Sequence, residues 1–137
     1  MGNMKITSFV LILVLFLMSD CNVLGKVHVV IRNELEGGRV MNIRCRSKDD
    51  DIGHLAIPDG HQIEWKFSVN LWGSTLFSCD VQWDDSKWHG FVAYSYRRDS
   101  ERCENKCLWL ISRDGLLYGF NEQTKSWDVL PFEDGWS

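Results

Sequence analysis

Apolar and polar residues alternate along much of the chain after residue 25, and a period of two is typical of half-buried β-strands. The clearest case is the segment 62–69, where Ile63, Trp65, Phe67 and Val69 are separated by polar or charged residues. The same alternation predicts four more strands with the following apolar faces: Val27, Val29 and Ile31; Met41, Ile43 and Cys45; Phe77, Cys79, Val81 and Trp83; and Trp88, Val92, Tyr94 and Tyr96.

The last third of the chain completes the set of predicted strands. Segment 107–111 is apolar on both faces, which indicates a central strand, and segments 116–120 and 126–130 follow it. Asp114-Gly115 predicts a tight hairpin turn between two of them. No segment after residue 25 shows a helical period. About eight short strands at regular spacing predict an all-β protein, either a small antiparallel β-sandwich or a small barrel.

The N-terminal segment predicts export from the cell. Lys5 is the only charge before the apolar run from Phe9 to Met18, which is about half of the roughly 20 residues that a membrane-spanning helix needs. Val23 and Gly25 suit the positions before a cleavage site, so we expect residues 1–25 to be a signal peptide, with cleavage after Cys21 as the alternative. Residues 26–137 then form a single secreted, extracellular domain without membrane insertion.

The cysteines predict two disulfides. Cys21 lies in the predicted signal peptide, which leaves Cys45, Cys79, Cys103 and Cys107 in an oxidising compartment. Three pairings are possible. We favour Cys45–Cys107 with Cys79–Cys103, because Cys103 and Cys107 are too close in sequence to be obvious partners if a strand begins at Cys107. A zinc site is the alternative for these residues, but two of them are isolated in sequence, and no metal or cofactor is expected.

The charge pattern argues against a nucleic-acid partner. The formal net charge is −4, and removal of Lys5 and Asp20 with the signal peptide leaves it unchanged. Basic residues are mixed with acidic ones along the chain, whereas nucleic-acid binding needs clustered Lys and Arg.

Two polar segments are candidate binding loops on a rigid β-framework. They span residues 47–53 and 97–106. An acidic run in the first segment is either a partner contact, a calcium ligand set or a solvated turn. Mixed charges in the second segment favour electrostatic recognition of a receptor. The candidate partner-binding residues are Asp49, Asp50, Asp51, Arg98, Asp99 and Glu101.

The remaining candidate residues do not indicate catalysis. The histidines His28, His54, His61 and His89 lie in no catalytic motif, and no nucleophile elbow is present, so we expect a protein that is not an enzyme. Trp72, Trp88 and Trp136 are the aromatic residues least tied to an apolar stripe. They either cap the ends of the core or stack on a sugar or a protein partner.

Several short blocks together resemble a known family. The blocks are Ile31-Arg32-Asn33-Glu34-Leu35, Cys45-Arg46-Ser47-Lys48-Asp49-Asp50-Asp51-Ile52-Gly53, Trp65-Lys66-Phe67, Thr75-Leu76-Phe77-Ser78-Cys79, Trp83, Arg98-Asp99, Cys103, Cys107-Leu108-Trp109 and Asp114-Gly115. In this combination the chain resembles the plant self-incompatibility protein S1 family, over nearly all of residues 26–137.

The resemblance implies a secreted β-sandwich with two disulfides. Founding members of the family are pistil ligands of a pollen plasma-membrane protein, and recognition of self arrests the pollen tube. We therefore expect a monomeric signalling ligand whose partner is a cell-surface membrane protein of plant cells. The alternative is a secreted protein that binds cell-wall carbohydrate or acts in defence.

Overall fold

The computed structural model describes residues 25–70 and 72–133, so the predicted signal peptide lies outside the described residues. Within these ranges the chain forms nine strands and one short helix. In chain order they are β1 (Lys26–Glu34), β2 (Met41–Arg46), β3 (Asp51–Ile57), β4 (Gln62–Ser68), β5 (Leu76–Gln82), β6 (His89–Ser95), α1 (Tyr96–Arg102), β7 (Lys106–Ser112), β8 (Leu117–Asn121) and β9 (Ser126–Leu130). No helix in these ranges is long and apolar enough to cross a membrane.

The strands form two sheets that pack into a sandwich. Sheet A has the order β4-β1-β7-β8-β9, and sheet B has the order β3-β2-β5-β6. Every neighbouring pair is antiparallel except β1 and β7, which run parallel. The prediction of an all-β sandwich is confirmed, with one parallel pair inside an otherwise antiparallel arrangement.

The core lies between the sheets, where the predicted alternation places it. Val29, Ile31 and Ile43 are fully buried, whereas the residues between them along each strand are more exposed or face the outside of the sheet. Strand β7 is the middle strand of sheet A, as its continuous apolar sequence predicts, and Trp109 from this strand is 1% exposed. Burial of these side chains from both sheets supplies the main favourable free energy of folding.

Strand β3 is not among the strands that the sequence pattern predicts. Asp51–Ile57 is an edge strand of sheet B, and only its last residue, Ile57, is buried. A strand that is largely exposed on both faces has no need to alternate apolar with polar residues, so the pattern gives no signal. The polar loop predicted for residues 47–53 is therefore only the connection between β2 and β3.

The predicted apolar face of β6 is also wrong. Phe91, Ala93 and Tyr94 are buried, whereas Val92 is only half-buried. A β-bulge explains the change, because Phe77 pairs with Tyr94 and Ser78 pairs with Val92, which leaves Ala93 as an extra residue on β6. One extra residue reverses the face to which the following side chains point.

The favoured disulfide pairing is wrong as well. Cys45 and Cys79 are bonded, because β2 and β5 are neighbours in sheet B and place these residues directly opposite each other, with their Cα atoms 4.1 Å apart. Cys103 and Cys107 form the second bond across 5.0 Å, because the chain turns back between α1 and β7. The pairing Cys45–Cys107 would have to join opposite sheets.

Helix α1 replaces much of the exposed loop predicted for residues 97–106. Its Asp99 side chain is fully buried and accepts hydrogen bonds from the backbone N–H of Ser95 and from Arg98 and Arg102, each at 2.8 Å. Arg98 binds both carboxylate oxygens of Asp99, and this bidentate geometry is among the strongest hydrogen-bonded pairings in proteins. The segment is ordered by its own buried charges, which a count of polar residues cannot reveal.

Trp109 joins this group to both sheets. Its Nε1 donates to the carbonyl of Ala93 on β6 at 2.8 Å, and the guanidinium of Arg102 lies 4.6 Å from the centre of its ring. Arg102 also donates to the carbonyl of Phe120 on β8 at 2.8 Å. We call Arg98, Asp99, Arg102 and Trp109 the Asp99 cluster. It connects the helix to sheet A and to sheet B.

A second buried polar residue ties the loops at the opposite end of the sandwich. Asn33 is fully buried, and its Nδ2 donates to the carbonyls of Arg39 and Ile57 at 2.8 and 2.9 Å. Its Oδ1 accepts from the N–H of Leu35 at 2.9 Å. The Asn33 side chain therefore bonds the β1–β2 loop to the end of β3, and we call this part of the molecule the Asn33 end.

We predict that Asp99→Ala lowers the free energy of unfolding by about 3–5 kcal/mol, because it leaves two arginines without their buried counter-charge. Glu101→Ala is the matched control, since Glu101 is an exposed acidic residue on the same helix, and it should change stability by no more than about 0.5 kcal/mol. Denaturant unfolding with the disulfides intact measures both. Equal effects of the two substitutions would contradict the structural role of Asp99.

Tyr94 predicts a loss of stability in alkali. Burial, the negative charge of Asp99 and the nearby Tyr96 raise the pKa of Tyr94 to about 12 from 10.0. Because the folded protein holds this proton more tightly than the unfolded chain, the contribution is complete below pH 10 and is lost as pH rises through about 12. The loss amounts to roughly 2–3 kcal/mol, at about 1.4 kcal/mol for each tenfold difference in proton affinity.

The measurement is denaturant unfolding between pH 9 and 12 for the wild type, Tyr94→Phe and Tyr118→Phe. Tyr94→Phe should remove most of the alkaline decline in the free energy of unfolding. Tyr118→Phe, which removes the hydroxyl of a half-buried tyrosine in sheet A, should retain that decline. An unchanged decline in Tyr94→Phe would show that other groups cause it.

Candidate functional site

The strand register gathers several connections at one end of the sandwich. Arg46, the last residue of β2, pairs with Ser78, and Leu76, the first residue of β5, pairs with Ser95 at the end of β6. The β2–β3 loop, the β4–β5 loop and helix α1 consequently lie at the same end, which we call the α1 end. Loops on a rigid β-framework are frequent binding surfaces.

The β4–β5 loop displays a tryptophan. Trp72 is 90% exposed, so it does not cap the core. Asn70 orders the loop around it, because its Nδ2 donates to Ser74 Oγ at 2.9 Å, its Oδ1 accepts from the N–H of Ser74 at 3.0 Å, and its own N–H donates to Thr75 Oγ1 at 2.9 Å. An aromatic side chain held on an ordered loop loses little conformational entropy when it binds a partner.

Two further apolar side chains accompany Trp72 at this end. Tyr96 is 42% exposed and Leu76 is 41% exposed. The loop packs against Tyr96 so closely that a Cβ atom on Gly73 would be only 2.8 Å from the Tyr96 ring. Gly73 also adopts a φ of +67°, which other residues rarely adopt. A side chain at position 73 would therefore push the loop away from α1 and displace Trp72.

The β2–β3 loop carries the predicted acidic run. Asp49, Asp50 and Asp51 are all exposed. Ser47 and Asp50 close the turn, since the N–H of Ser47 donates to the carbonyl of Asp50 at 2.7 Å and the N–H of Asp50 donates to Ser47 Oγ at 3.0 Å. Across the part of the chain that the structure describes, no three His, Cys, Asp or Glu side chains come together in a group that could hold a metal ion.

A groove of about 610 Å³ separates the two loops. Its walls include Lys48, Asp49 and Asp50 from the β2–β3 loop and Asn70 and Leu76 from the β4–β5 segment. The groove therefore combines charges of both signs with apolar surface, which is the composition of a polar rim around a protein-binding anchor.

The structure divides the predicted partner-binding residues into two groups. Asp49 and Asp50 line the groove, and Asp51 begins β3 beside it. Arg98 and Asp99 belong to the Asp99 cluster. The prediction of a partner contact is wrong for Asp99, because its side chain is inaccessible. It is unsupported for Arg98, because the Arg98 guanidinium is already bonded to Asp99 and to the carbonyl of Val92. Glu101 is exposed on α1.

Trp88 has a different environment from Trp72. The Arg44 guanidinium lies 4.2 Å from the centre of the Trp88 ring, and the His54 ring packs edge-on against it at 5.6 Å. Trp136 lies outside the described residues. The sequence pattern does not distinguish the three tryptophans from one another. It does not indicate that Leu76 and Tyr96 are exposed either, because their exposure depends on the register of β5 with β6. One sequence feature does point to the exposed position of Trp72, namely the Trp72-Gly73-Ser74 turn between two alternating segments.

The Asn33 end contrasts with the α1 end. Asp59 accepts hydrogen bonds from the N–H groups of Glu36 and Gly38, both at 3.0 Å. Arg39 donates to Asp84 at 3.0 Å and to the carbonyl of Arg113 at 2.8 Å. These bonds join separate loops to one another, whereas the bonds of the β2–β3 and β4–β5 loops are mainly internal to each loop. The α1 end is therefore the better placed to receive a partner.

Comparison with known proteins agrees with this architecture. Residues 28–131 match the family model described as plant self-incompatibility protein S1. The chain is 35% identical over 127 residues to self-incompatibility protein S1 of Papaver rhoeas, which covers 92% of this chain and 91% of that protein. It is 42% identical over 87 residues to S-protein homolog 5 of Arabidopsis thaliana, which covers 64% of this chain and 66% of that protein.

A solved structure shares the fold. It is described as a self-incompatibility protein homologue from a widespread family of small, highly stable, secreted plant proteins. The similarity has a TM-score of 0.56 at 18% identity and covers 79% of this chain and 90% of that chain. Together with the match over residues 28–131, these findings show that the chain belongs to the plant self-incompatibility protein S1 family.

Proposed function

We propose that the protein is a secreted ligand that binds a cell-surface membrane protein of plant cells through its α1 end. The observation that carries the proposal is the 90% exposure of Trp72 on a loop that Asn70 holds in one shape. Tryptophan is enriched among the residues that dominate binding energy at protein interfaces. An exposed Trp on an ordered loop serves no purpose in the core, so a partner is the simplest account of it.

The charges around Trp72 support a protein partner. Asp49, Asp50 and Lys48 are exposed on the groove wall opposite Asn70 and Leu76, which belong to the segment that carries Trp72, and Glu101 lies on α1. Mixed charges at the rim of an interface set the orientation of the complex and its salt dependence more than its affinity. We therefore assign Trp72 the anchoring role and the acidic residues Asp49, Asp50, Asp51 and Glu101 the role of selecting the partner.

Carbohydrate binding and defence are the alternative functions. A role for Trp72 in binding a neutral polysaccharide would favour a flat, uncharged surface around the ring on which sugar rings stack. The neighbouring groove wall is instead charged, which favours a protein surface over a neutral polysaccharide. The same argument disfavours insertion into a lipid bilayer, since charged side chains of both signs line the groove together with the exposed Leu76.

We predict that Trp72→Ala weakens saturable binding to plant cells by about tenfold or more, because truncation of a central aromatic anchor costs about 2 kcal/mol or more. The measurement is binding of fluorescently labelled, disulfide-bonded protein, secreted by cells that express the full chain, with unlabelled protein as competitor. Leu116→Ala is the control, since Leu116 is a 44% exposed apolar residue at the Asn33 end, and it should leave binding unchanged.

Protease treatment of the cell surface identifies the class of partner. Loss of binding after proteolysis supports a membrane protein. Binding that survives proteolysis, or that Trp72→Ala and Leu116→Ala weaken equally, would contradict the proposed function. Unfolding midpoints of both variants establish that a loss of binding is not a loss of fold.

A further inference from the structure

We propose that the outer face of sheet B binds a hexuronic acid residue, which is a sugar ring that carries one carboxylate. The site is an open cavity of about 500 Å³, within the range of about 300–1,000 Å³ that is usual for small-ligand pockets. It does not include Trp72, although it adjoins the groove and shares Arg46 and Ser78 with it, and its Asp51 is also one of the residues assigned to partner selection. We call it the Arg44 cavity, and its functional side chains are Arg44, Arg46, Asp51, His54, Ser78 and Asp80.

The sheet register arranges these side chains in two rows across three strands. Arg44 on β2 pairs with His54 on β3 and with Asp80 on β5. In the next row Arg46 pairs with Asp51 and with Ser78. Each arginine is therefore flanked by hydrogen-bonding groups on both neighbouring strands, which is an arrangement that can contact several groups of one ligand.

A β-bulge produces the second row. Cys45 pairs with Gly53, but the next residue, Arg46, pairs with Asp51, so Ile52 is an extra residue without a partner on β2. Gly53 has a φ of +92°, and its N–H donates to Asp51 Oδ1 at 2.8 Å. Without this bulge Arg46 would lie opposite an isoleucine. Bulges of this kind frequently redirect a side chain toward a functional site.

Arg44 is held in place before any ligand arrives. Its Nε donates to Asp80 Oδ2 at 3.1 Å, and its guanidinium lies over the Trp88 ring at 4.2 Å. Its terminal nitrogens have no hydrogen-bond partner in the described ranges 25–70 and 72–133. A planar guanidinium fixed in this way can offer two parallel N–H donors to a carboxylate at a small entropic cost.

The other groups favour a hydroxylated ring over a simple anion. The two arginines and the two aspartates balance in formal charge, so the cavity lacks the excess positive charge that a phosphate dianion needs. Asp80 and Asp51 each retain a carboxylate oxygen to accept a hydroxyl proton, and Ser78 can donate or accept. Alternating donors and acceptors beside one carboxylate-binding arginine match the hydroxyls and the single carboxylate of a hexuronate.

The test uses a trimer of galacturonic acid as the probe and the disulfide-bonded protein secreted from the full chain. Isothermal titration should give saturable binding to the wild type. Arg44→Lys preserves the charge but loses the planar two-donor edge and the stacking on Trp88, so we expect about tenfold weaker binding. Arg113→Lys is the matched control, since Arg113 is an exposed arginine at the Asn33 end with its side chain 71% accessible, and its binding should equal that of the wild type.

Three results would overturn the proposal. One is the absence of binding by the folded wild type, and another is binding of Arg44→Lys as tight as that of the wild type and of Arg113→Lys, which would indicate general electrostatic attraction. The third is equally tight binding of the methyl-esterified trimer or of a triglutamate peptide, which would remove the role of the carboxylate or of the sugar ring. Trp72→Ala should bind the trimer as the wild type does, so failure of the receptor proposal and failure of this one are distinguishable.

Discussion

The buried carboxylate of Asp99 is the interaction on which the rest of the structure depends. A carboxylate without water is costly unless charged donors surround it, and Arg98, Arg102 and the Ser95 N–H supply them. The arginines in turn stack on Trp109, whose indole bonds to the opposite sheet. A single buried charge thereby fixes the helix, the approach of β7 and the contact between the two sheets.

The residues that stabilise the α1 end are different from the loops that we propose to bind a partner. The Asp99 cluster and the disulfide between Cys103 and Cys107 stabilise the α1 end from its interior. Trp72 and the acidic β2–β3 loop take no part in these interactions. At the Asn33 end, buried hydrogen bonds hold the loops to each other. Substitutions in the β2–β3 and β4–β5 loops can therefore change the exposed surface of the α1 end without unfolding the protein.

Much of the fold could be predicted from the sequence, because strands buried on one face must alternate. Ile63, Trp65 and Phe67 follow that rule and pack against the core, and the family resemblance is confirmed. Strand β3 and the bulge at Ala93 could not be predicted, because an exposed edge and an extra residue leave no periodic signal. The disulfide pairing depends on which strands are neighbours, and the role of Asp99 depends on its burial; a single sequence reveals neither.

Photo-cross-linking from the two ends of the sandwich tests directly whether the α1 end is the surface that binds a partner. A photoreactive amino acid replaces Lys48 at the α1 end or Leu116 at the Asn33 end, both of them exposed, and each protein is illuminated on intact plant cells. If the α1 end is the binding surface, position 48 should give an adduct with a cell-surface protein that unlabelled protein abolishes, and position 116 should give none. A competed adduct from position 116 alone would contradict the assignment of the binding surface to the α1 end.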